Sequence, residues 1–220
     1  MVGDAKVAIV DYNMGNIQSI TNALSVVTDD VEVVSEGGDV GDPDAVVVPG
    51  VGAFADGMNN FEAHGFREPL TELVVDGETP FLGICLGMQF LAERSEEHGT
   101  HPGLGWVPAK VERIEPAEDG YRVPHMGWND VEVPADADSV LFRDFESAGT
   151  FYFVHSYHLN PRTLDGSLTT GRSWHGTEIT AAIRQDNIFG VQFHPEKSQG
   201  AGLKLLQNFM QYASRGDGTW

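Results

Sequence analysis

The chain has 220 residues, 33 of them acidic and 13 basic, for a formal net charge of -20, and it contains one cysteine. That field repels phosphate backbones and argues against a nucleic-acid partner, and one thiol supports neither an internal disulfide nor a cysteine-rich zinc site. No apolar run reaches the roughly 20 residues that span a bilayer, and the start MVGDAKVAIV lacks the basic stretch and cleavage site of a secretory signal, so the reading is cytoplasmic.

In chain order, KVAIVD (6–11) reads as a strand followed by the polar loop YNMGN, and Ile17, Ile20, Leu24 and Val27 then recur at helical spacing. VEVVS and DAVVVPG are predicted strands, the second closing on turn-forming proline and glycine. Helical patterns fill 53–64 and 67–75; TPFLGIC is a third buried strand, and LGMQFLAER is predicted as a helix starting directly after it. This alternation predicts an α/β fold with a mostly parallel central sheet and helices on both faces.

The second half reads as strands joined by turns: WVPAKVERIEP, YRVPHMGWNDVEV, TFYFVHSYHL, EITAAIRQ and NIFGVQFHP. Some of these are expected to pair antiparallel at one end of the sheet. GAGLKLLQNFMQYA closes the fold as an amphipathic helix predicted to bury Leu203, Leu206, Met210 and Ala213. One domain is expected over 1–214, with a polar tail at 215–220. The acidic residues are scattered like a solvated coat, and only four basic residues are lysines. Such a coat suits a cytosol of molar salt, where a Debye length of about 3 Å mutes self-repulsion.

The lone cysteine sits in the frame Gly83-x-Cys85-x-Gly87, between a strand and a predicted helix. A buried cysteine acting as a small hydrophobe is the bland reading. The glycine frame favours a sharp nucleophile elbow that lifts the sulfur above the sheet edge toward solvent, with a helix N-terminus behind it favouring thiolate. A cysteine nucleophile needs a base, and the base an orienting group. Of eight histidines, His64, His98 and His101 lie in polar surroundings, and His125, His155, His158 and His175 have no acid placed to hold them. His194 differs, because VQFHPEKS ends a buried strand and sets Glu196 two residues on, the period that puts both side chains on one side of an extended segment. Pro195 keeps His194 out of the helical region. For an oxyanion hole, the Leu86 N–H follows from the elbow, and PGVGAF (49–54) offers a second donor from Val51 or Gly52, although PGVG alone reads equally as a turn.

GICLGMQFL, PGVGAF and FHPEKS together resemble the class I, triad-type glutamine amidotransferases, and the likeness runs from Lys6 to about Tyr212. DYNMGNIQS, PHMGWN, FYFVHSY and NIFGVQFHPEKS resemble the branch of that family that serves imidazole glycerol phosphate synthesis. The resemblance implies Cys85, His194 and Glu196 as the triad, and Val51 and Leu86 at the oxyanion hole. It also implies Gly50, Gly52, Gln89, Ser156 and Tyr157 around the substrate, L-glutamine, and Asn13, Asn16, Met126 and Trp128 toward a barrel-shaped synthase (cyclase) partner forming a heterodimer. The polar stretch NPRTLDGSLTTGRSWHGTE departs from the expected pattern. No phosphate-cradling G-x-x-x-x-G-K-[ST] or dinucleotide fingerprint occurs, so no cofactor and no metal are called for, and the ammonia acceptor belongs to the partner. The rivals are a glutaminase subunit serving pyridoxal phosphate or anthranilate synthesis, a stand-alone thiol hydrolase, and a binding module with an inert Cys85.

Overall fold

The computed structural model describes residues 5–135, 137, 140–145 and 149–215, so residues 216–220 of the predicted tail lie outside the described residues. The first half comprises β1 (Val7–Val10), α1 (Ile17–Leu24), β2 (Val31–Val34), β3 (Ala45–Gly50), α2 (Phe54–Ala63), α3 (Arg67–Thr71) and β4 (Phe81–Cys85). A one-turn helix α4 (Leu86–Gln89) follows directly, then β5 (Ala92–Ser95), β6 (His101–Pro102), β7 (Val107–Arg113), β8 (His125–Val131) and β9 (Gly149–His155). The chain closes with β10 (Tyr157–Leu159), β11 (Thr169–Trp174), β12 (Glu178–Gln185), β13 (Ile188–Val191) and α5 (Gln199–Ala213).

Fully apolar strands such as VAIV are stable only when both faces are covered. Side chains alternate between faces along a strand. Val7 and Ile9 therefore join Ile20 and Leu24 of α1 and Leu205, Leu206 and Phe209 of α5. Ala8 and Val10 join Phe54, Met58 and Phe61 of α2 and Leu70 of α3 on the other face. The central sheet has seven strands in the order β11-β12-β13-β4-β3-β1-β2. Its β13-β4-β3-β1-β2 portion is parallel, and β11 and β12 continue it antiparallel at one end. This is the predicted α/β architecture.

Two expectations are corrected, the helix LGMQFLAER and the burial of Leu203. LGMQFLAER is not one helix: helix ends at Gln89, and Ala92–Ser95 pairs with β6 and β7 in a separate four-stranded sheet. Residues 86–92 are buried on every side, so helical periodicity carried no information there, and the long-range ladder decided the outcome. As expected, only some strands of the second half extend the central sheet: β7 and β10 join that second sheet, and β8 and β9 form a ribbon of their own. Leu203 is only half-buried, and the covered face of α5 uses Leu205, Phe209 and Tyr212 beside Leu206, Met210 and Ala213. The divergent polar stretch, for which no element was expected, supplies β11, the antiparallel edge of the central sheet. Among the described residues, no helix is long and apolar enough to cross a membrane.

Candidate active site

Strands β3, β4 and β13 lie side by side in parallel, so their C-terminal ends open at one edge of the sheet, where ligands gather in such folds. Cys85 stands at that edge with φ +54° and ψ -104°, in the left-handed half of backbone space. The glycine frame has a steric cause. A Cβ at Gly83 would come 2.6 Å from the Gly87 carbonyl oxygen, and one at Gly87 would come 1.9 Å from that of Val48. The sulfur is not aimed at open solvent as predicted. Cys85 is 6% exposed, on the wall of a cavity of about 270 Å³.

That cavity gathers most of the predicted residues: Val51, Gly52, Leu86, Gln89, Ser156 and Tyr157 share its wall with Cys85. Gly50 does not. It is buried in register with Cys85, and a Cβ there would stand 2.0 Å from the Tyr12 hydroxyl. Sequence reasoning missed Glu97, which lines the same cavity while its Oε2 accepts the Phe54 N–H at 2.7 Å, tying down the end of the PGVGAF loop. It also missed His155 and Pro124 on the wall, and Gln192 behind it.

His194 and Glu196 are brought together as predicted, with Nδ1 to Oε1 at 2.8 Å and side chains 2% and 4% exposed. The route differs from the one expected. His194 is extended, but Pro195–Lys197 is a 3-10 turn, so the contact closes across a turn instead of along a strand. The backbone of His194 is pinned from both sides: its N–H donates to the Tyr152 carbonyl at 2.8 Å, and its carbonyl accepts the Ser198 hydroxyl at 2.6 Å. Burial disfavours a charged ring here, but the Cys85 sulfur and the Glu196 carboxylate outweigh it and hold the His194 pKa up at about 10. With Nδ1 committed to Glu196, Nε2 is the ring atom left for the sulfur and a substrate.

The two N–H groups expected to serve an oxyanion hole are in unequal states. The Leu86 N–H heads α4 and has no acceptor within that helix. The Val51 N–H donates to the Met14 carbonyl at 3.0 Å. In a trans peptide the preceding carbonyl, that of Gly50, points the opposite way.

Gln89 donates Nε2 to the Tyr157 carbonyl at 2.9 Å and to Gln192 Oε1 at 3.1 Å, leaving its own oxygen for a ligand. Three of the four histidines without an acid, His125, His155 and His175, hold one another or neutral groups, while the buried Nδ1 of His158 has no hydrogen-bond partner. His155 and His125 are bonded at 3.0 Å, His125 stacks on His175 with ring centroids 4.2 Å apart, and His175 Nε2 meets the Arg122 carbonyl at 2.8 Å. Burial lowers the pKa of His125 to about 3 and of His158 to about 4, and drives that of His155 well down, so these three are neutral at pH 7. Asn13 and Asn16 are exposed in the loop before α1, where Asn13 reaches His64 at 2.9 Å and Asn16 caps the helix. Met126 and Trp128 project from one face of β8, 62% and 49% exposed. Among the described residues, no cluster of His, Cys, Asp and Glu has the makings of a metal site.

Comparison with known proteins agrees with this architecture. The chain is 43% identical over 221 residues to the imidazole glycerol phosphate synthase subunit HisH of Rhodospirillum rubrum, covering 94% of this chain and 99% of that one. It is 46% identical over 214 residues to the protein of the same name from Herpetosiphon aurantiacus, covering 97% and 98%. Among solved structures, a glutamine amidotransferase superposes with a TM-score of 0.71 at 21% identity, covering 94% of this chain and 98% of that one. PurLQS from Thermotoga maritima superposes with a TM-score of 0.71 at 18% identity, covering 95% and 99%. These two likenesses speak to the fold. The model of the family described as glutamine amidotransferase class-I matches residues 8–212, and the chain belongs to that family.

Proposed function

We propose that the chain is a glutaminase subunit that hydrolyses L-glutamine to glutamate and ammonia. It passes the ammonia to a barrel-shaped synthase subunit that makes imidazole glycerol phosphate in histidine biosynthesis. The observation that carries the chemistry is the buried His194–Glu196 pair interacting with Cys85, which lines one small cavity. The names borne by the relatives support the acceptor reaction.

In this mechanism the Cys85 sulfur attacks the side-chain amide carbon of glutamine. A C–S bond forms, the C–N bond breaks, and the proton on His194 Nε2 leaves with the nitrogen as ammonia. Water then gives its proton to His194 and attacks the thioester, releasing glutamate and restoring the thiolate. Leu86 and Val51 N–H groups meet the oxyanion, and Glu97 and the Gln89 oxygen are placed to take the substrate ammonium. A cavity of about 270 Å³ suits an amino acid better than the peptide a stand-alone protease would need. Asn13, Asn16, Met126 and Trp128 are assigned to the face that meets the synthase in a heterodimer. The test is glutamate release from glutamine with and without that synthase; no release in either state refutes the reading.

The pH profile follows from His194. Because its folded value lies above the ordinary 6.5, its charge stabilises the fold fully below about pH 6.5. That contribution disappears as pH rises through about 10. The proton donor is lost over the same range, so glutamine turnover is expected to fall on an alkaline limb near pH 10. Glu196→Gln should move this limb to lower pH and lower the rate less than His194→Ala does, since the carboxylate orients and stabilises without transferring a proton. An unmoved limb in Glu196→Gln removes Glu196 from the triad.

We also propose that the acidity is an adaptation to high salt. With 33 acidic and 13 basic residues, most carboxylates have no cation to pair with, and the ion pairs that form are largely exposed. Lowering potassium chloride from molar to tens of millimolar should therefore lower the melting temperature as screening disappears. A flat or rising melting temperature at low salt overturns this.

A further inference from the structure

Gln192 is fully buried one residue beyond β13, an unusual place for a primary amide, since an unpaired amide in an apolar core is costly. Period-two alternation puts it on the same side as His194, while Phe193 between them turns into the core shared with α5. Its Nε2 donates to the Cys85 sulfur at 3.5 Å, and its Oε1 accepts the Gln89 Nε2 at 3.1 Å. The Gln89 Nε2 also donates to the Tyr157 carbonyl at 2.9 Å.

The direction of this chain is forced from its far end. A side-chain amide can turn over and exchange its donor and acceptor ends, but a backbone carbonyl only accepts. Tyr157 therefore obliges Gln89 to present its NH₂ group, and the second hydrogen of that group obliges Gln192 to present its oxygen. Only the NH₂ of Gln192 is then left to face the sulfur. Resting on the reading of Cys85 as the nucleophile, we infer that Gln192 is a catalytic residue that stabilises the Cys85 thiolate through an N–H donor whose polarity is locked by Gln89 and the Tyr157 carbonyl.

The elbow needs such a donor. The nine-residue helix expected behind the cysteine is a four-residue turn, Leu86–Gln89, and the macrodipole of so short a helix is small. A discrete N–H is a stronger partner for an anion than for a neutral thiol. The same three-group chain also couples the nucleophile to the cavity wall, because Gln89 and Tyr157 both line it.

The experiment uses iodoacetamide, which reads the sulfur without glutamine: the sulfur lone pair forms the C–S bond and iodide leaves. Cys85 is the sole cysteine, so the full chain reports on one site. Gln192→Met removes the donor. Gln192→Glu keeps the oxygen that Gln89 requires but places a second oxygen on the sulfur. Alkylation at pH 7 is expected to slow about tenfold in both, and the gap from wild type should narrow as pH rises toward 10. A purely packing role predicts a pH-independent difference in Gln192→Met and a wild-type rate in Gln192→Glu; either result overturns the inference. Should both variants fail to fold, Gln89→Met decides, because it frees Gln192 to turn over: slower alkylation supports the inference and an unchanged rate overturns it. Glutaminase assays on the wild type with its synthase run in parallel, and failure there counts against the function while leaving the alkylation comparison intact.

Discussion

Replacing Cys85 with alanine is expected to lower glutamine hydrolysis by about 10³-fold or more while leaving the fold intact, because a triad loses most of its rate with its nucleophile. Alanine and cysteine meet the same backbone requirement at φ +54°, so the substitution adds no new strain. The partner's synthase reaction should survive in the mutant complex when ammonium is supplied in place of glutamine. That pairing of results separates loss of the nucleophile from loss of assembly. Glutamate release within tenfold of wild type would dismiss Cys85 as the nucleophile.

The second large effect concerns the partner. The Val51 N–H is engaged by the Met14 carbonyl, so one of the two proposed oxyanion donors is withheld in this conformation. Turning the Gly50–Val51 peptide would release it, and Gly52, at φ +100°, allows the neighbouring backbone conformations that such a turn needs. Met14 lies between Asn13 and Asn16, the residues proposed for the docking face, so a synthase seated there would act on the carbonyl that holds Val51. Withholding one oxyanion donor lowers a rate about 10²–10³-fold. The chain alone should therefore be a poor glutaminase, and synthase carrying its acceptor should raise the rate by about that factor. The rate is measured for the chain alone, with synthase, and with synthase plus acceptor. Equal rates in all three states refute the gate. Stimulation that survives Asn13→Ala and Asn16→Ala keeps the gate and discards those sensors. Because Asn16 caps α1, its alanine variant needs a parallel melting curve: losing a cap removes about 1 kcal/mol.

Much of this arrangement was legible in the sequence, for reasons that differ by residue. The glycines around Cys85 were readable because close backbone approach leaves few alternatives to glycine. Strands such as VAIV were readable because burial on both faces requires a continuous apolar run. The one-turn α4 was not, since a segment buried on all sides has no polar face to set a period. Nor was β11, whose polar residues suit an edge strand as well as a loop. Gln192 was within reach, because strand alternation puts this polar residue on the same side as His194. Glu97 left no local signal: it arrives at the cavity through the pairing of β5 with β7, which only the folded chain brings about.

The backbone at Cys85 has an evolutionary consequence. A residue with a Cβ held at positive φ carries strain on the order of 1–3 kcal/mol, which glycine at the same position would relieve. The elbow is therefore a place where the sequence Gly-x-Gly-x-Gly would be at least as comfortable as Gly-x-Cys-x-Gly. Thermodynamics offers no protection to the proposed nucleophile, and a copy of this gene released from the demand for ammonia would drift toward a sturdier, silent protein.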